Sequence, residues 1–156
     1  MYYPKIKTSN NLTLCCIRNN KALFLIYELR VKVFVVEQTC YYQEVDRDDL
    51  ISKHFFAKDA DGNIIAYARL IPAEEGKVVH FGRVVVAPEA RKGGLGRELV
   101  TKLLAEIPKQ YPGTTTILAQ AQAYLQNFYE SFGLKAISKV YPVDGIPHLD
   151  MQKNID

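Results

Sequence analysis

The sequence predicts an α/β (α+β) domain, and three observations predict it. Runs of β-branched and aromatic residues take turns with amphipathic stretches, in the order β-α-loop-β-β-β-α-β-α-β-β. One such run passes through a short turn straight into a helix, from His80 to Leu99. The chain has 156 residues, 48% of them hydrophobic and 24% charged. That is enough for one domain, residues 1–156, with a proper core.

Each element has its own signal. Residues 1–11 read as an irregular lead-in and Leu12 to Ile17 as a short apolar strand. Lys21 to Val36 predicts a helix with Leu23, Ile26, Val33 and Phe34 on one face. Lys21, Glu28 and Lys32 lie opposite, with Glu28 and Lys32 spaced for an i,i+4 pair. Arg30 interrupts the apolar face. A charge there needs a partner or a cleft, so Arg30 is expected either to pair with an acid of the 44–49 segment or to form a wall of the substrate site. Residues 38–52 are a loop rich in Tyr and Asp. Lys53 to Asp59 and Ile64 to Ile71 make a hairpin across Asp61-Gly62-Asn63, a turn that needs φ > 0. After a turn over 72–77, Val78 opens the strand that runs through Phe81 to Ala87 and stops at Pro88. Leu95, Leu99, Val100, Leu103 and Ile107 then share one helical face, and Pro108 is expected to end that helix. Thr114 to Ala119 reads as a strand. Ala123 to Phe132 reads as a helix closed by Gly133. Leu134 to Tyr141 and Pro147 to Gln152 are the last two strands, joined by Asp144-Gly145.

Composition excludes several function classes. No apolar run approaches the roughly 20 residues that span a bilayer, so no membrane partner is expected. MYYPKIKTSNN lacks the apolar core of a signal peptide. Cys15, Cys16 and Cys40 show no metal spacing and read as reduced thiols of a cytoplasmic protein. The three histidines are far apart, so no metal site is expected. A net charge of +3 is too small to argue for nucleic acid, and no aromatic ladder accompanies the basic loop. Acids do gather between Glu37 and Asp49: Glu37, Glu44, Asp46, Asp48 and Asp49 against the single base Arg47. This segment either steers a cationic substrate or is a solvated loop with capping carboxylates.

The junction after the central strand points to an anion. A helix N-terminus offers unpaired N–H groups and a positive dipole end. Gly93, Gly94 and Gly96 let a bulky anion approach the backbone, and Arg91, Lys92 and Arg97 add donors. The bland alternative is a tight turn with solvated basic residues. The spacing is R-x-x-G-x-G, not that of a P-loop or a dinucleotide fingerprint. The stretch VVVAPEARKGGLG resembles the acetyl-CoA-binding signature of the GNAT acyltransferase superfamily. LRVKVFVVEQTCYYQEVDRDD, AYARL, GRVVV, AQAYLQNFYESFG and YPVDGIPHLDM extend the likeness to its ElaA-like branch, over about Leu29 to Met151.

The resemblance implies the GNAT fold, a mixed central sheet with helices on both faces. It also implies acetyl-CoA as cofactor, an amine acceptor on a small molecule or peptide, and a homodimer as an oligomer to consider. The cofactor-binding residues would be Val84, Val85 and Val86 on the strand and Arg91, Lys92, Gly93, Gly94, Leu95, Gly96 and Arg97 in the loop. Asn127 would join them on the helix segment Asn127-Phe128-Tyr129-Glu130, the counterpart of the family's N-x-x-Y segment.

Acyl transfer to an amine needs a neutral nucleophile, a donor for the thioester oxygen, a proton for the leaving thiolate and close positioning. Tyr129, in Asn127-Phe128-Tyr129-Glu130, is the candidate acid: a phenol near pKa 10 suits a weakly acidic thiol. Its alternative is a core aromatic beside Leu125, Phe128 and Phe132. The oxygen-side donor is expected to be a backbone N–H of the Val84–Val86 strand. For the base, His80, His148 and His54 remain open, as do Glu37 and Asp46 through a bound water; His80 reads equally as an exposed strand-end residue. Arg30, Glu37 and Asp46 are the substrate-side candidates. A non-catalytic CoA-binding or partner-binding module is the competing reading.

Overall fold

The computed structural model describes residues 12–15 and 19–155. Among the described residues eight strands form one sheet: β1 (Leu12–Cys15), β2 (Lys53–Lys58), β3 (Ile64–Ala73), β4 (Val78–Val86), β5 (Thr116–Gln122), β6 (Lys135–Ala136), β7 (Tyr141–Val143) and β8 (Ile146–Asn154). Their order is β1-β2-β3-β4-β5-β8-β6, with β7 also on β8. The β4–β5 pair is parallel and the other pairs are antiparallel, so the sheet is mixed as the resemblance implied.

Helices cover both faces of the sheet. Residues Ile64 to Leu70 of β3 are buried without interruption. On one face α1 (Asn20–Arg30) brings Arg30 to 3.5 Å from the Tyr67 hydroxyl. On the other, α2 (Leu95–Gln110) sets Gly96 against Val86, which pairs with Ala66. The five apolar positions expected on α2 are its five buried residues. The hairpin and its turn form as expected, with Gly62 at φ +85°. The Asp144-Gly145 turn forms likewise, with φ positive at both residues.

Four boundaries differ from expectation, each for a local reason. The first helix is α only to Arg30; Val31–Glu37 winds as a wider π turn, with Gln38 N–H donating to the Val33 carbonyl and Cys40 N–H to Val35. Four valines crowd that segment, and widening the turn relieves β-branched packing along the helix. The wider turn also moves Lys32 round the axis, where it pairs with Glu89 at 3.6 Å instead of Glu28. Pro108 does not end α2, which runs to Gln110: in the last turn its ring costs one hydrogen bond, and the Tyr111 N–H still reaches Ile107 at 2.8 Å. The Ala123–Phe132 helix is a short 3-10 turn followed by α3 (Gln126–Glu130), capped by Gly133 at φ +87°. Residues 137–140 leave the sheet, so the expected Leu134–Tyr141 strand is split into β6 and β7. Ile17 and Cys16 lie outside the described residues; Cys40 is free and buried, its Sγ facing the Asp144 carbonyl at 3.4 Å.

Candidate active site

The sheet forks at its centre. The parallel ladder between β4 and β5 runs from Val78/Thr116 to Phe81/Ala119 and stops. Beyond it β5 stays with β8 as far as Gln122/His148, while β4 stays with β3 as far as Val86/Ala66. The main chain of Val84–Val86 therefore has no β5 partner on its inner edge. A cleft of about 910 Å³ opens there, lined on one side by Val84, Val85 and Val86 and on the other by Ala119, Ala121 and Gln122.

At the outer end of β4 the chain enters the glycine loop. Lys92 and Gly94 both take left-handed backbone, φ +69° and +79°, and Gly94 is the N-cap of α2. A Cβ on Gly93 or Gly94 would meet nothing within 4 Å, so the space above the loop is open. Among the described residues the N–H groups of 92–97 donate to no backbone carbonyl; the first bonds on either side are Arg91 to Pro88 and Glu98 to Gly94. An N-terminal turn with open approach and free donors fits a diphosphate. The side chains do less than expected. Arg91 folds back, its Nε donating to the Val86 carbonyl at 3.1 Å and its Nη1 pairing with Glu37 at 2.8 Å. Arg97 lies over the Phe128 and Phe132 rings and donates to Ser131 Oγ at 3.1 Å, fastening α2 to α3.

That fastening sets Tyr129. Its ring packs 5.6 Å from Phe81, the last β4 residue in the parallel ladder, and 5.1 Å edge-on from Phe128. Tyr129 is buried yet lines the cleft. Burial pushes its phenol well above the usual value, with a smaller push from Tyr124. It is both core residue and cleft residue, and it holds its proton across the neutral range. Asn127 is exposed on α3 and does not line the cleft.

The β3 and β4 side of the cleft is backed by a charge network, of which the sequence showed only the need of Arg30 for a partner. Arg30, fully buried, donates from Nε to Glu44 at 2.9 Å and from Nη1 to Asp49 at 2.7 Å. Arg69 of β3 shares Nη1 between Asp46 and Asp49, both at 2.7 Å. Arg83 of β4 reaches the Glu44 carbonyl at 2.9 Å and Asp46 at 3.2 Å. Three guanidiniums thus face three carboxylates. Arg30 is a strut of this network and no wall of the cleft. The pairing with the 44–49 acids is the alternative that holds, because a buried charge must be compensated. The acidic segment is also not a free steering surface. Glu44 and Asp49 are buried, and Asp46 caps the turn at Arg47–Leu50 in a capping box with Asp49. Of the acids lining the cleft, Asp48 stays mainly solvated, Asp46 is tied to Arg69 and Arg83, and Glu37 is tied to Arg91.

The histidines separate. His54 is buried off the cleft with both ring nitrogens engaged, Nδ1 with Tyr67 Oη at 2.7 Å and Nε2 with the Asp49 carbonyl at 3.0 Å. A carbonyl only accepts, so Nε2 carries the proton and Nδ1 accepts from Tyr67. Burial lowers its pKa, against a smaller upward pull from Asp49. This histidine holds the network together and has no free lone pair for an acceptor. His80 is exposed and lines the cleft. His148 also lines it, with Nδ1 2.7 Å from the Ile146 carbonyl. That contact fixes Nδ1–H and leaves the Nε2 lone pair free.

Several cleft residues were not singled out from the sequence: Arg69, Arg83, Tyr42 and the amide pair Gln122–Gln38, 3.0 Å apart. One signal was available. A glycine inside a β-branched run, Gly82, marks a bulge, and the β3–β4 register shifts there. Among the described residues no three His, Cys, Asp or Glu side chains assemble into a metal site, and no helix is long and apolar enough to cross a membrane.

A forked mixed sheet with a glycine-rich helix start at one prong is the architecture of acyl-CoA N-acyltransferases. A crystal structure of such an enzyme from Pseudomonas aeruginosa superposes with a TM-score of 0.82 at 38% identity, covering 91% of this chain and 96% of that one. The sequence profile of the acetyltransferase (GNAT) domain matches residues 26–155, and the chain belongs to that family, in its ElaA-like branch. Escherichia coli ElaA is 39% identical over 85% of this chain and 88% of its own, and its crystal structure superposes with a TM-score of 0.80. A UPF0039 protein of Schizosaccharomyces pombe is 46% identical over 85% of this chain and 87% of its own.

Proposed function

We propose that the protein is an acetyl-CoA-dependent N-acetyltransferase acting on a primary amine of a small molecule or peptide, by direct attack with both substrates bound. The observation that carries this reading is the coincidence at one fork of free loop amides, an unpaired strand edge and Tyr129. When bound, acetyl-CoA supplies an acyl group on a thiolate leaving group. The N–H groups of 92–97 hold its diphosphate, and the free edge of Val84–Val86 pairs with its amide-bearing arm. An N–H of the same strand donates to the thioester oxygen, which needs a donor where charge develops.

Tyr129 donates a hydrogen bond to the departing sulfur. With its phenol raised by burial, it stabilises the thiolate as a donor more than it surrenders the proton outright. His148 is the base we favour, because its Nδ1 contact places the lone pair of the neutral ring on Nε2, where it can meet an ammonium proton directly or through one water. His80 is the second candidate. Glu37 and Asp46 are tied to arginines.

Calorimetry with CoA and acetyl-CoA, followed by thiol release against a panel of amines, tests the proposal. The expected result is CoA binding together with amine-dependent thiol release. No binding at millimolar CoA overturns it. Binding without release for any amine favours the non-catalytic reading instead.

A further inference from the structure

Strand β4 is regular except at one place. Tyr67 pairs with Val85 and Arg69 with Gly82, so Ala68 alone faces both Arg83 and Val84. This is a bulge, and its first residue, Arg83, has φ +54°. Bulges of this left-handed kind place glycine at that position, because an L-residue there brings its Cβ against the backbone. Here the glycine stands one residue too early: Gly82 is not among the positive-φ residues and the strain falls on Arg83.

The Arg83 side chain accounts for the strain being kept. Its Nη2 donates to the Glu44 carbonyl at 2.9 Å and to Asp46 Oδ2 at 3.2 Å. Its Nε lies 2.8 Å from Glu44 Oε1, and its guanidinium sits 5.5 Å over the Tyr42 ring. Those partners are themselves fixed, Glu44 by Arg30 and Asp46 by Arg69 and the capping box. A strained residue persists only where its surroundings over-determine it, and such residues gather at functional sites. This one stands two residues past the end of the β4–β5 ladder, and Gly82, Arg83 and Val84 all line the cleft.

We infer that Arg83 is a positioning residue: the 42–46 loop grips its guanidinium and so holds a left-handed bulge that aims the N–H groups of β4 into the cleft, toward the thioester oxygen. The inference rests on the acetyl-CoA reading above. Its physical content is a link between the acceptor-side loop and the oxygen-side donors that passes through one side chain. Gly82 complements it, since a Cβ there would meet no protein atom within 4 Å and its absence leaves the cleft open beside the bulge.

The test compares Arg83→Ala with Arg83→Gly in the full chain. Both lose the same ion contacts, so a role confined to loop stability or local charge lowers both alike. They differ in backbone: glycine keeps a left-handed residue without penalty and alanine does not. The readout is the infrared carbonyl stretch of bound acetyl-CoA carrying carbon-13 at the carbonyl. In the natural protein the stretch is expected below that of the free thioester, as donors polarise the oxygen. Arg83→Ala is expected to lose that shift and to lower kcat on the order of tenfold to a hundredfold, with CoA affinity within about twofold. Arg83→Gly is expected to retain most of the shift. If Arg83→Ala does not fold, Arg83→Lys takes its place, because a lysine cannot reproduce the forked grip. The inference is overturned if alanine (or lysine) keeps the full shift, or if glycine loses it as completely. A natural protein that binds acetyl-CoA with no carbonyl shift also overturns it and leaves the acetyltransferase reading intact, whereas no CoA binding at all removes that reading.

Discussion

Two regions beside the β4 prong of the fork handle charge in opposite ways. At residues 88–97 the main-chain N–H groups of 92–97 are left free, while the side chains of Arg91 and Arg97 turn to Val86, Glu37 and the Phe128 and Phe132 rings. At residues 42–49 the main chain is ordinary, and each of six charged side chains from α1, the loop, β3 and β4 has an opposite charge beside it, although Glu44 Oε2, Arg69 Nε and Arg83 Nε make no hydrogen bond. Donors that face an anion must be left unpaired and rigid, which local glycine and helix geometry accomplish. A wall that must keep its shape beside a cleft can be stiffened by long-range ion pairs, provided that none lacks its partner.

Breaking the side-chain side should cost the most stability. Arg30→Leu leaves Glu44 and Asp49 buried with one cation fewer and is expected to cost about 3–5 kcal/mol in chemical denaturation. CoA binding by the molecules that remain folded should be unaffected, because Arg30 does not touch the glycine loop. Tyr129→Phe, at the junction of the two sides, should lower kcat about a hundredfold with CoA affinity preserved; steady-state thiol release and calorimetry give both numbers.

The network also sets how stability responds to pH. Burial holds the His54 imidazole below its usual 6.5, so the unfolded chain takes up that proton first, and stability declines as the pH falls below about 6.5. Hydrogen bonding to Arg69 holds Asp46 below the usual carboxylate range. Asp49 would be raised by burial, but Arg30 and Arg69 bring it below its usual value. Their stabilisation is present above about pH 4 and is lost on further acidification. Denaturation midpoints between pH 3 and 8 should therefore fall in two stages, and His54→Gln should flatten the upper stage alone. The smallest effect belongs to the main-chain side. Glu37→Gln frees Arg91 from a half-exposed pair worth about 0.2–1 kcal/mol, so CoA should bind up to a few-fold tighter; unchanged or weaker binding would show that Arg91 serves Val86 only.

The same contrast explains what the sequence made legible. Leu95, Leu99, Val100, Leu103 and Ile107 announce α2, and Gly62, Gly133 and Gly145 announce their turns, because each signal lies within a few residues of its effect. The glycine turn that opens α2 was readable for that reason, whereas Tyr129 was singled out through the family resemblance. Arg30 could be recognised as needing a partner, but which acids it meets depends on how the loop folds over β3. Arg69 and Arg83 give no local sign of their partners in the 44–49 segment. The π turn was missed because Val31, Val33, Val35 and Val36 continue a helical pattern that does not distinguish an α turn from a wider one.

The wide turn at Val31–Glu37 is in effect one surplus residue in the first helix. An α-helix advances about 100° per residue, so deleting a residue from the regular part, Asn20–Arg30, would swing Glu37 and Gln38 a quarter-turn or more away from Arg91 and Gln122, whereas losing one of those valines would let the wide turn rewind with both side chains still in place. The spacing between the buried residues Ala22, Ile26 and Leu29 and the residues at the far end is thus a ruler: outside the wide turn, side chains can be exchanged more freely than residues can be added or removed.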